Sequence, residues 1–217
     1  MKGIKGIIGL LVILCCVVLM QVNVASATTF TFQPTDTSGN PADMMDLNHK
    51  YVYSWLINWN TPSGEEIVSA ELKFKKIYDW KYGEYDILSI HLLDDPPALD
   101  LISSNADGGL WSKKDSESGG DNWAGQGPLV GTWTDPIGGS STHAIDLVFT
   151  FDAVLLASLN TFVSNDGRFG FGLDPDCHYY NDGITFTVNT TPVPEPATLL
   201  LLGLGLVGVR LYGKRKA

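Results

Sequence analysis

The chain has 217 residues, with 14 Lys+Arg against 24 Asp+Glu and a formal charge of −10. That charge is unevenly distributed. Residues 1–27 hold Lys2 and Lys5 and no acid, and the last 25 hold four cations against Glu195, so 28–192 keeps 8 basic and 23 acidic residues, a net of −15. An acidic middle excludes a nucleic-acid binder that works through a basic face. Three cysteines, two of them in the first apolar run, exclude a disulfide-stapled scaffold, and no apolar run between the ends is long enough for a polytopic membrane protein.

Residues 1–27 read as a signal peptide. Lys2 and Lys5 make its positive start, Ile7–Met20 its apolar run, and Ala25 and Ala27 the small residues that signal peptidase accepts. The run is short for a retained span of about 20 residues. Leu14 before Cys15 does not fit a lipoprotein cysteine. Cleavage after Ala27 removes Cys15 and Cys16 and leaves Cys177 alone, without an internal disulfide partner in an oxidising compartment.

Residues 28–191 are predicted to form one β domain. Thr29–Phe32 is a short candidate strand. Tyr51–Trp59 and Asp86–Leu93 are apolar on both faces and read as central strands. Period-2 alternation runs through Val68–Lys75 (Val68, Ala70, Leu72 and Phe74 inward), Ile145–Phe151, Phe169–Leu173 and Ile184–Val188, and Leu129–Thr134 is a shorter candidate. Asp152–Val163 has helical spacing at Val154, Leu155, Leu159 and Phe162, with Asp152 as N-cap. Short strands joined by Gly/Asp/Pro loops, without a βαβ rhythm, predict an all-β fold: a jelly-roll-like antiparallel β-sandwich with one short helix. The long Gly/Ser/Asp-rich loop Ser103–Pro128 contains Trp111 and Trp123, whose large apolar area argues against plain disorder.

The richest chemical segment is Asp174–Asp182. Asp174, Asp176 and Asp182 are hard oxygen donors, and Asp46 is expected to approach them if the first and last strands pair. This set is the candidate Ca²⁺ site, since Ca²⁺ takes about 6–8 oxygens; the alternative is an acidic loop whose aspartates cap turns. Cys177, His178 and His49 lack the paired spacing of a zinc site. Adjacent residues on an extended segment face opposite ways, so Cys177 and His178 do not form a nucleophile–base pair; a buried thiol is expected. His91 is expected to be a satisfied strand histidine. No Gly-x-Ser-x-Gly, phosphate loop or HExxH is present. Tyr51, Tyr53, Trp55 and Trp59 are expected in the core, and Trp80, Trp111 and Trp123 are the candidate carbohydrate contacts.

Residues 192–217 form a third piece. Pro192, Pro194 and Pro196 hold an extended stalk, Leu199–Val209 is all Leu, Gly and Val, and Arg210 with Gly213-Lys214-Arg215-Lys216 closes the chain. This is expected to act as a hydrophobic sorting helix, a transient inner-membrane anchor with its cations on the cytoplasmic side. The segment resembles the PEP-CTERM sorting signal of Gram-negative bacteria. The resemblance implies that exosortase recognises Pro194-Glu195-Pro196 and removes the tail, and that the protein accompanies exopolysaccharide and biofilm-matrix systems.

The middle resembles the uncharacterised domains that precede such tails, through Asp46-Leu47-Asn48-His49, Ile67–Leu72 and Leu173–Tyr180, and carbohydrate-binding modules in layout. The expectation is an exported, non-enzymatic component of the envelope or exopolysaccharide matrix. The alternatives are a carbohydrate-binding module with structural Ca²⁺ and an exported hydrolase.

Overall fold

The computed structural model describes residues 27–34, 44–83, 85–97, 110–115, 119–193 and 203, without the side chains of 110–114. The expected signal peptide up to Ser26, the Pro194-Glu195-Pro196 motif and almost all of the apolar tail lie outside these residues; Ala27 is exposed just before the first strand. Among the described residues no helix is long and apolar enough to cross a membrane.

The strands are β1 (Thr28–Phe32), β2 (Asp46–Leu47), β3 (Tyr51–Asn58), β4 (Glu65–Asp79), β5 (Leu88–Asp94), β6 (Leu110–Lys114), β7 (Leu129–Trp133), β8 (Ile145–Thr150), β9 (Arg168–Pro175), β10 (Tyr179–Tyr180) and β11 (Ile184–Pro192); helix α1 (Ala153–Asp166) joins β8 to β9. One sheet runs β1-β11-β4-β10-β2 with β8 also on β4, and the other runs β6-β3-β9-β5-β7. With the short β2, β6 and β10 set aside, the orders are β1-β11-β4-β8 and β3-β9-β5-β7. This is an antiparallel jelly roll, in which the first and last strands pair and the chain crosses repeatedly between two sheets.

The core is the seam between the sheets. Phe186 of β11 is fully buried, with Phe171 at 4.9 Å, Phe151 at 5.5 Å, Phe169 at 6.1 Å and Phe32 at 6.2 Å between ring centroids. Tyr53, Trp55 and Ile57 of β3 are buried against it, with Tyr51 and Trp59 partly buried. Helix α1 has the expected cap: Asp152 Oδ1 accepts from the amides of Val154 and Leu155. Its inward face is Leu155, Leu159 and Val163, whereas Val154, expected inward, is 69% exposed. Gly167 ends the helix in the left-handed region at φ 77°.

Two irregularities in β4 correct the expected alternation. The register with β11 shifts between Asn189 and Thr190, so that Ser69 faces Asn189 and Ile67 faces Thr190. Val68 is consequently 44% exposed and Ile67 is buried in its stead. A second shift, against β8, falls between Phe74 and Ile77, where Lys76 adopts φ 48° and donates its amide to Asp146 Oδ1. The two-faced apolar character of β3 and β5 also has a cause. Their outer faces carry a second cluster, Val52 and Leu93 with Trp123 of the 119–128 loop laid over them.

Candidate functional site

β4 is 15 residues long, and its two ends differ in chemistry. At one end Glu65 faces Pro192 and Val193 donates to Gly64 O at 2.8 Å, so the chain leaves the sandwich there towards its tail. Thr28, at the start of the chain's first strand, faces Thr190 at the same end. At the other end Asp79 faces Tyr179 of β10, and Tyr179 and Tyr180 face Leu47 and Asp46 of β2. The fold thus joins Asp46–His49 to Asp174–Asp182 at the end of β4 remote from both chain exits.

Cys177 and His178, in the bend between β9 and β10, point to different surroundings. The Cys177 thiol is buried and donates to Asp79 Oδ1 at 3.1 Å. His178 turns outward, its Nδ1 donating to Asp46 Oδ1 at 3.0 Å and its ring lying 4.9 Å from His49 and 5.4 Å from Trp80. Burial pushes the Cys177 thiol far above its ordinary range, and the carboxylate of Asp79 adds to the effect. An activated thiolate nucleophile is shifted in the opposite sense.

Three of the four carboxylates expected to share one Ca²⁺ are instead engaged with separate partners. Asp46 holds His178. Asp174, 1% exposed, accepts from the amide of Asn122 at 2.6 Å and its Nδ2 at 2.9 Å. Asp182 pairs with Lys76 at 2.9 Å. Asp176 is fixed through its amide, which donates to Ile87 O at 2.9 Å. Burial raises both Asp174 and Asp176, and the Asp174 carboxylate raises Asp176 further. The Lys76 hydrogen bond lowers Asp182. Among the described residues, the group of His, Cys, Asp or Glu close enough to share an ion is a different one, Asp79, Asp86 and Cys177, whose ligand atoms lie within 4.8 Å of one another.

The candidate sugar contacts also separate. Trp80 is 49% exposed on the β4–β5 turn, where Tyr82 and Tyr85 are more exposed still. Trp123 is 3% exposed, which removes it as a stacking surface: its indole lies over Gly172, where an added Cβ would fall 2.6 Å from Cγ. Trp111 lies on β6, and its side chain is outside the described atoms. His91 is engaged structurally, with Nδ1 at 3.0 Å from Gly127 O and Nε2 at 2.8 Å from Asp121 Oδ2, which ties the Trp123 loop to β5.

Sequence reasoning passed over Asp79, Asp86 and Tyr179. Asp79 had a detectable signal, since it follows buried Ile77 by two residues and so places an acid on the inward face of a strand. The bulge at Lys76 hid that parity.

Comparison with known families matches residues 192–216 to the PEP-CTERM protein-sorting motif. This motif is an exosortase-processed sorting signal and implies export to the cell envelope or surface. No curated protein and no solved structure matches the chain.

Proposed function

We propose that this PEP-CTERM sorting-signal protein delivers a non-enzymatic β-sandwich to the envelope or extracellular matrix, as a component of the exopolysaccharide or biofilm matrix of a Gram-negative bacterium. Three units carry out the delivery: a signal peptide over 1–27 removed by signal peptidase, the sandwich over 28–191, and a sorting and anchor segment over 192–217. The observation that carries this reading is the sorting motif at 192–216, which begins where the last strand ends.

The geometry supports a tethered cargo. The tail leaves from the Glu65 end of β4, and fifteen residues at about 3.3 Å each put the Asp79 end roughly 45 Å away. A body held by its tail therefore presents the Trp80 turn outward. The Cys177 thiol is buried against Asp79 and both ring nitrogens of His91 are bonded, so neither is offered as a free nucleophile or base. The acidic surface keeps the exported body soluble.

Intact-mass measurement of the protein from cells with and without exosortase tests the reading. The expected result is loss of the tail only where the enzyme is present, with the processed form in the matrix fraction. An identical mass in both strains, or activity on a panel of glycans and esters, would refute it.

Carbohydrate contact is a second reading, favoured by one observation. Trp80 stands exposed beside Tyr82 and Tyr85 at the end remote from the tail, and exposed rings stack on apolar sugar faces. Titration of matrix polysaccharide against tryptophan fluorescence is expected to respond in wild type and not in Trp80→Ala. No response in wild type would end this reading.

A further inference from the structure

We propose that Asp79, Asp86 and Cys177 form a binding site for a thiophilic divalent transition metal of the zinc class, clamping the end of β4 to the β4–β5 turn and the β9–β10 loop. The site is independent of the tail and of the sorting reading.

Asp79 and Asp86, seven residues apart at the end of β4 and on the turn after it, meet Cys177, which lies 98 residues beyond Asp79, with ligand atoms within 4.8 Å of one another. Asp79 is fully buried, and its two oxygens are unequal. Oδ1 accepts from the Lys81 amide at 2.9 Å and from the Cys177 thiol at 3.1 Å, whereas Oδ2 is buried with no hydrogen-bond partner. A buried carboxylate oxygen left unpaired is costly, and such groups are normally satisfied by a donor or a cation. A second, separate group points the same way. The Tyr179 hydroxyl is fully buried and also has no partner. Tyr179 faces Asp79 in the β10–β4 register, so this second unpaired group stands on the strand beside the cluster.

The donor set selects the metal. Ca²⁺ and Mg²⁺ take oxygen ligands only, and a thiolate does not suit them. Zn²⁺ binds Cys sulfur at about 2.3 Å and Asp oxygen at about 2.0–2.2 Å, usually with four ligands in structural sites. The Cys177 thiol loses its proton to solvent when the metal–sulfur bond forms, and the dication then faces one thiolate and two carboxylates.

The test uses the full chain in mild detergent, kept reduced and carrying Cys15→Ser and Cys16→Ser, so that Cys177 is the sole thiol. Cadmium serves as the optical probe and zinc as the competitor. The expected result is one equivalent of cadmium–thiolate charge-transfer absorbance, displaced by zinc. Zinc should also raise the melting temperature and release protons. Cys177→Ser should abolish the band. Asp86→Asn, at a half-buried position where the fold is expected to survive, should weaken cadmium binding at least tenfold. Calcium should neither displace cadmium nor shift the melt. Absence of the band at excess cadmium would overturn the proposal. So would a band that Asp86→Asn leaves unchanged, because that describes a lone thiol and not a site. A zinc-induced melting shift that persists in Cys177→Ser would equally overturn it.

Discussion

Replacing Trp123 by Ala tests how the long loop is held to the sandwich. The indole is 3% exposed and packs with Val52 and Leu93 over the outer face of the five-stranded sheet. A buried tryptophan covers about 150–250 Å², which at about 25 cal/mol per Å² amounts to roughly 4–6 kcal/mol of transfer free energy. Measured truncations of this kind cost about 3–5 kcal/mol. The site lies beneath a surface loop that can partly collapse, so Trp123→Ala is expected to cost about 3 kcal/mol. With a urea slope of about 2 kcal/mol/M, the midpoint should fall by roughly 1.5 M. Gly172→Ala attacks the same contact from below. Its Cβ would fall 2.6 Å from the indole Cγ and 2.7 Å from Cε2, so the ring must move, at about 1–3 kcal/mol. The decisive measurement is the double mutant. The three nearest atoms to that Cβ all belong to the indole, so with the indole gone the clash disappears and Gly172→Ala should become close to neutral. If Gly172→Ala costs the same in both backgrounds, or if Trp123→Ala moves the midpoint by less than about 0.3 M, the indole does not pin the loop and this reasoning fails.

Other expectations concern the core, the helix and pH. Phe186→Ala, at the meeting of four rings from both sheets, should cost about 3–5 kcal/mol in chemical denaturation; a loss under about 1 kcal/mol would be inconsistent with a fully buried centre. Asp152→Ala removes both side-chain bonds at the start of α1 and should cost about 1 kcal/mol in the same assay, with Asp152→Asn recovering most of it. Asp146 and Asp182 are held below the ordinary aspartate value of 3.8 by hydrogen bonds from Lys73 and Lys76. Their contribution is present above that value and is lost as pH falls through the depressed ones. Lys73→Met with Lys76→Met should therefore flatten the acid limb of the urea midpoint, and an unchanged limb would count against the pairs. Asp174 has the opposite sign: burial raises it, so its contribution is present below 3.8 and lost as pH rises through the raised value. Asp174→Asn should gain on wild type as pH rises from acid towards neutral, and a parallel pH profile would contradict this.

Much of the sandwich was legible because strands and helices impose their periods locally. Alternation located β8, β9 and β11, helical spacing with an aspartate cap located α1, and the Pro-Glu-Pro tail could be read without any fold at all. What failed locally failed at irregularities. The bulges exchanged Val68 for Ile67 and concealed the inward parity of Asp79. The two-residue strands β2 and β10 were too short to show a period.

The environment of each site residue was decided only by long-range pairing. Sequence position gives a side chain its chemistry but not its neighbours. Asp79 and Cys177 are 98 residues apart, and His178 meets Asp46 across 132. Asp174, Asp176 and Asp182 are close in sequence, yet strand geometry turns them towards Asn122, the β5 approach and Lys76. The sequence by itself therefore determined where the chain is sent and that its body is a two-sheet sandwich, since both depend on short-range signals. Tertiary structure decided which tryptophan is buried and which acids meet a thiol, because those depend on how strands distant in the chain are laid side by side.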